Sequence, residues 1–286
     1  MGKLVWLASY PKSGNTWVRA FLYNLFCRTE QPAAINDLAR VVPTDSDRAL
    51  YIAVAGEEAR NLTAQQQAAL RPKVHAHLAE SSPHNRVIKT HVCQAEQGGV
   101  PLITWEVSAG AIYVLRNPLD TVLSLAAQGA MTIDDAIAVM GRPGNVIRPS
   151  AEHVAVHFGS WSENVASWTA KREPRILVLR YEDLLAQPEK MFERVVGFLG
   201  FPCTPLEVER ATRFSSFEEL RRQEQAGGFE ERSELADAFF REGRQGEWRE
   251  RLTAEQVDLI CRQHGPQMAR FGYLPDEYRQ RAAVQA

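Results

Sequence analysis

The sequence predicts an α/β fold with a central parallel sheet and helices on both faces. Three observations predict it. Short β-rich apolar runs alternate with segments of helical period. The runs at 110–115 (GAIYVL) and 175–179 (RILVL) are almost wholly apolar, as strands buried on both faces are. Polar turns follow the runs, and the C-terminal ends of strands are where open α/β sheets collect ligands.

The elements follow in order. Residues 3–9 form the first strand, and a loop holding Pro11 and Gly14 hands it to an amphipathic helix over 16–27. Residues 30–60 hold only short helical pieces. A capped helix over 61–78 is expected, interrupted at Pro72. RVIKTHV at 86–92 reads as the second strand and 110–115 as the third, which turns at Arg116-Asn117-Pro118 into a helix over 119–128. The periodicity predicts helices over 132–141 and 150–170, a fourth strand at 175–179 and a helix over 189–199. Helices are also expected over 204–212, 215–225 and 253–270. The Pro- and Gly-rich stretch 141–150 and the charged stretch 224–246 predict mobile segments, and 276–286 a frayed tail.

Composition narrows the function. The 286 residues suit a single domain, with 45% hydrophobic residues for its core. With 33 Lys+Arg against 35 Asp+Glu the net charge is −2, which argues against a general nucleic-acid binder. No apolar run approaches the ~20 residues of a membrane span, and the N-terminal run reads as a strand and not a signal peptide. Cys27, Cys93, Cys203 and Cys261 lie far apart without a CxxC pair, which points to a reducing cytoplasm and neither a disulfide framework nor a zinc site.

The octapeptide Tyr10-Pro11-Lys12-Ser13-Gly14-Asn15-Thr16-Trp17 sits where a strand meets a helix. Backbone N–H groups there attract anions, Lys12 adds positive charge, and Gly14 permits close approach. Ser13, Asn15 and Thr16 add short donors. The loop does not match the Walker pattern, because its Lys precedes the Gly. Arg116 ends a buried strand with a fork able to hold two phosphate oxygens, and Ser124 shares a helix face with Asp120 and Thr121. Lys89-Thr90-His91 ends the second strand, with Lys89 two residues from His91 on one face. Arg180-Tyr181-Glu182-Asp183-Leu184 follows the fourth strand; Ser215-Ser216-Phe217 and Arg241-Glu242-Gly243-Arg244-Gln245-Gly246-Glu247-Trp248 come later.

Together these segments, in this order over residues 3–272, resemble the sulfotransferases that use 3′-phosphoadenosine-5′-phosphosulfate (PAPS). The resemblance implies an architecture similar to P-loop nucleotide kinases. It implies a 5′-phosphosulfate loop at 10–17 and a 3′-phosphate site at Arg116, Ser124, Arg241 and the Gly243 N–H. His91 is then the general base, a role imidazole suits because it titrates near working pH. Lys12 stabilises the departing phosphate with Lys89 beside it, and Ser124 positions Lys12 or the 3′-phosphate. Tyr181 and Ser215 flank the adenine, and Trp17 and Phe217 sandwich it. Glu242 stands where the family pattern has Lys, which puts 3′-phosphate affinity in question; Arg244 is a candidate to compensate. Glu247 replaces Asp. The implied reaction moves a sulfuryl group to a hydroxyl, less readily an amine, of a small molecule, without a metal. The short N-terminus before the loop resembles bacterial members that sulfate small molecules.

Other readings stay open on the residues alone. A kinase or NTPase with an unusual loop predicts Mg²⁺ dependence, and a non-catalytic nucleotide binder on this fold needs no His91. A dinucleotide oxidoreductase lacks its GxGxxG. Several signals are set aside. His75 and His77 show no third metal ligand. His153 and His157, four apart, read as helix residues without the Glu of HExxH. Trp161 and Trp168 read as a core stripe. Asn61-Leu62-Thr63 fits a glycosylation sequon that a cytoplasmic chain leaves idle. The stretch Arg249, Thr253, Asp258 shares too little with the family's dimer motif.

Overall fold

The computed structural model describes residues 2–170 and 175–279. Its strands are β1 (Leu4–Ser9), β2 (Arg86–Thr90), β3 (Glu96–Gln97), β4 (Val100–Pro101), β5 (Ser108–Leu115), β6 (Val146–Ile147), β7 (Val156–His157) and β8 (Ile176–Arg180). β2, β1, β5 and β8 form one parallel sheet in that order; β3–β4 and β6–β7 are short antiparallel pairs. Side chains alternate across the sheet with the period of two that a strand imposes. Leu4, Trp6 and Ala8 of β1 join Tyr113 and Leu115 on one face; Val5 and Leu7 join Ile112 and Val114 on the other. The first face is covered by helices Ala64–Glu80, Pro118–Gly129, Ile133–Gly141, Trp161–Thr169 and Ala254–Arg270. The second is covered by Asn15–Phe26, Pro188–Leu199 and Pro205–Phe214. This is the expected α/β architecture.

Register places the site. Ala8 lies beside Thr90 and Ser9 beside Val114, while Leu115 lies beside Arg180. Ser9, His91, Arg116 and Tyr181 therefore leave the sheet at one edge, the C-terminal one. The segment 43–45 flanks β2 there: Lys89 N–H donates to the Pro43 carbonyl at 2.8 Å and Asp45 N–H to the Lys89 carbonyl at 3.2 Å.

Two expectations need correction. Pro72 does not interrupt its helix, which runs over Ala64–Glu80. A Thr63–Gln66 capping box starts it, and Ala68, Val74 and Leu78 bury its inner face, so packing outweighs the lost N–H. Residues 150–160 are not helical. The helix begins only at Trp161, where Ser160 and Glu163 form a capping box and Gly159 at φ 65° ends the preceding backbone. His157 therefore belongs to β7, and His153 to a bridge with Asp47. The stretch 141–150 contributes β6. The helix Phe217–Gly227 takes the start of the 224–246 stretch, and 228–246 holds neither helix nor strand. Its Phe229 and Phe240 nonetheless pack with Ala20, Ile35, Leu38 and Leu220 in a small core.

Of the tail expected to fray, 276–279 are helical and 280–286 lie outside the described residues. Trp161 and Trp168 are buried, as the core stripe requires. Among the described residues no single helix is long and apolar enough to cross a membrane.

Candidate donor and transfer site

A cavity of about 770 Å³ opens at the C-terminal edge of the sheet. Lys12, Gly14, Asn15, Thr16, Trp17, Lys89, His91, Arg116, Ser124, Tyr181, Phe217, Arg241 and Gly243 all line it. Segments spread from residue 12 to 243 thus converge on one place. Ser13 and Ser215 do not line it. Ser13 is buried with its hydroxyl unpartnered, and the Ser215 hydroxyl donates to the Thr212 carbonyl at 3.0 Å.

The loop after β1 is held in a conformation few sequences tolerate. Lys12 has φ 66° and Gly14 φ 101°. A Cβ on Gly14 would meet the Tyr181 ring at 2.6 Å, so glycine is required twice over. Gly14 caps the helix Asn15–Phe26 without a side chain, which leaves the first N–H groups for a ligand. Asn15 donates to the Leu7 carbonyl at 3.0 Å and the Ser9 hydroxyl at 3.2 Å, tying helix to strand. Its amide NH2 is thus spent on the scaffold.

Lys12 Nζ lies 3.5 Å from the Phe239 ring centre and 3.3 Å from Gln128 Oε1. Burial, then the Arg116 and Lys89 charges, bring its pKa down to about 7. His91 has Nδ1 2.8 Å from the Ser9 carbonyl oxygen. A carbonyl only accepts, so Nδ1 carries the proton and Nε2 keeps a free lone pair. Burial, then the Lys89 charge, lower the His91 pKa to about 4, so the ring is neutral at pH 7.

Arg116 donates from Nη1 to the Lys12 carbonyl at 3.2 Å and to Ser124 Oγ at 3.0 Å. Its guanidinium lies over the Tyr181 ring at 4.4 Å. Asp120 does not pair with it. Asp120 accepts instead from the N–H groups of Gly246 at 2.7 Å and Trp248 at 3.1 Å, fastening 241–248 to the helix after β5. Arg241 pairs with Glu247 at 2.7 Å. A Cβ on Gly243 would sit 2.5 Å from the Phe217 ring, which sets that loop against the aromatic wall. Arg244, the candidate to offset Glu242, lies outside the cavity lining. It pairs with Glu250 at 2.8 Å and with Glu242 itself at 3.3 Å.

The sulfotransferase domain model matches residues 3–272. The chain belongs to the sulfotransferase family. It is a PAPS-dependent sulfotransferase. Cytosolic sulfotransferase 16 of Arabidopsis thaliana is 26% identical, covering 89% of this chain and 72% of the relative. Flavonol 3-sulfotransferase of Flaveria bidentis is 24% identical over 90% and 78%. The fold is shared with retinol dehydratase, solved with retinol and PAP (the desulfated donor), at 20% identity and TM-score 0.63, covering 93% of this sulfotransferase and 81% of that chain.

The residues present fit such a donor. The Arg116 Nε and Trp17 Nε1 are buried without partners, polar groups that a phosphorylated nucleotide could satisfy. Arg19, Gln128, Glu231 and Phe239 also line the cavity of the sulfotransferase, and the motifs do not include them. Arg19 lies four residues after Asn15, so helical spacing puts it on the loop's side of the helix. Glu231 lies in an irregular charged stretch, where no periodicity marks it.

Proposed function

We propose that this chain transfers the sulfuryl group of PAPS to a hydroxyl of a small-molecule acceptor, with His91 as general base. The observation that carries the reading is the His91 ring, its Nδ1 bound by the Ser9 carbonyl and its Nε2 free, among lysines in one cavity. His91 Nε2 takes the hydroxyl proton as the acceptor oxygen bonds to sulfur and the bond from sulfur to the phosphate oxygen breaks. Lys12 meets the charge arriving on that phosphate, and Lys89 assists. Positioning and electrostatics dominate, as in phosphoryl transfer. Arg116, Ser124, Arg241 and the Gly243 N–H hold the 3′-phosphate; Trp17, Tyr181 and Phe217 line the base. Ile35, Leu38 and Phe229 offer the acceptor an apolar wall. A relative named for a flavonol supports a hydroxylated acceptor, and relatives named cytosolic, with four free cysteines here, support a cytoplasmic location.

PAP is expected to raise the melting temperature far more than ATP does, because Arg116 holds a 3′-phosphate that ATP lacks. A charged hydrogen bond of this kind contributes ~1.5–3 kcal/mol. Thermal shifts at matched concentrations measure it; equal shifts with both nucleotides would remove Arg116 from the 3′-phosphate site.

Asp120→Asn is expected to weaken PAP binding. The amide accepts at one atom only and turns its NH2 toward the other N–H, releasing Gly246 or Trp248 at a cost of ~1–3 kcal/mol. Calorimetric titration with PAP is the measurement. Full affinity in a variant of lowered melting temperature would leave Asp120 a purely structural role.

A further inference from the structure

One side chain answers two of the cavity's cations. Glu231 accepts from Arg19 Nη1 at 2.5 Å and from Lys89 Nζ at 3.0 Å. Burial pushes its carboxyl up, but the Lys89 and Arg19 charges more than offset this and hold its pKa at about 2. It is therefore an anion at every working pH. The cations stand on fixed elements, Arg19 in the helix Asn15–Phe26 and Lys89 in β2. Arg19 is 1% exposed and its Nε has no partner. The carboxylate comes from 228–246, which has no helix or strand, and the Glu231 backbone is held by Gln128 Nε2 at 3.2 Å.

We propose that Arg19 and Lys89 together form the subsite that grips the transferred sulfuryl group, and that the Glu231 carboxylate occupies it in the donor-free protein. The inference rests on the sulfuryl-transfer reading and extends it to Arg19 and Glu231, which lie outside the motifs. A sulfuryl group presents anionic oxygens much as a carboxylate does, and Arg19 offers it a planar fork. Both anions cannot share Lys89 without strong like-charge repulsion in a low-dielectric cleft. Nor can Glu231 simply leave, since a buried guanidinium without a counter-charge is costly. Exchange of one anion for the other satisfies both limits. PAP has no sulfuryl group and leaves Glu231 in place.

The test is calorimetric affinity for PAPS and for PAP, without acceptor, in the full chain. Glu231→Gln keeps the shape and removes the charge. It is expected to tighten PAPS about tenfold while PAP stays unchanged, because a hydrogen bond to a charged group no longer has to be broken. Arg19→Met is expected to weaken PAPS about tenfold and spare PAP, with Arg19→Lys between it and wild type. Arg19→Lys also serves where the Met variant does not fold. A PAPS-to-PAP affinity ratio unchanged by Glu231→Gln overturns the inference, as does equal loss of both nucleotides in the Arg19 variants. Wild type that binds both nucleotides with a fixed ratio in the variants sinks this inference alone. Wild type that binds neither sinks the donor reading with it.

Discussion

His91→Ala is expected to lower the transfer rate about 10²–10⁴-fold, the usual contribution of a general base, while PAP affinity stays near wild type. The geometry separates the two. His91 follows β2 and is held by Ser9, whereas the phosphate contacts proposed above come from 10–17, 116–124 and 241–246, other segments of the cavity lining. Removing the imidazole takes away the lone pair that, in the proposed mechanism, receives the acceptor's proton, and leaves those contacts alone. Initial rates at saturating PAPS, beside calorimetric PAP affinity, measure the split. Wild-type turnover would remove His91 from the catalytic role, and a folded variant that fails to bind PAP would move it into the donor site.

Lys12→Ala should damage both steps. In the mechanism proposed above its amine meets the donor phosphate and the charge that grows there during transfer. Loss of one such group costs ~10²–10³ in rate. The pH profile gives a second readout. With a pKa of about 7 in the free protein, the Lys12 amine is charged below that value and loses its charge as pH rises through it. His91, at about 4, becomes neutral as pH rises through that value. The plot of kcat/KM, which reports free-enzyme groups, should therefore rise near 4 and fall near 7. Donor phosphates raise the pKa of the amine once bound, so kcat itself should persist to higher pH. In Lys12→Ala the upper limb of kcat/KM should vanish. An upper limb that survives the substitution belongs to another group.

The sheet was legible in the sequence because β1 and β5 are apolar runs buried on both faces, whereas the run at 175–179, also read as a buried strand, forms the sheet-edge strand β8 and is mostly half-buried. The strand-end residues were legible because short polar motifs follow those runs directly. Between Ser150 and Ser160 the sequence misled. His153-Val154-Ala155-Val156-His157 fits a helical spacing of four and a strand alternation of two equally well, and the bond from Arg48 N–H to the Glu152 carbonyl that pins this stretch is long-range. Pro72 misled in the opposite direction, since local propensity cannot register the burial of Ala68, Val74 and Leu78 around it. Arg19 had a faint signal in its spacing from Asn15. Glu231 had none. Its position follows from packing of Phe229, Phe239 and Phe240, and aromatic contacts within an irregular segment have no period to read.

The Asp120 carboxylate has a consequence for how the chain is made. It binds backbone N–H groups 126 and 128 positions later in the chain. A nascent chain that has left the ribosome through β8 has its sheet strands, its Lys12 loop and its Arg116, but one wall of the nucleotide pocket is still unsynthesised. A truncation before Trp248 removes the N–H groups that hold the Asp120 carboxylate and opens it to water in a domain that otherwise has its sheet.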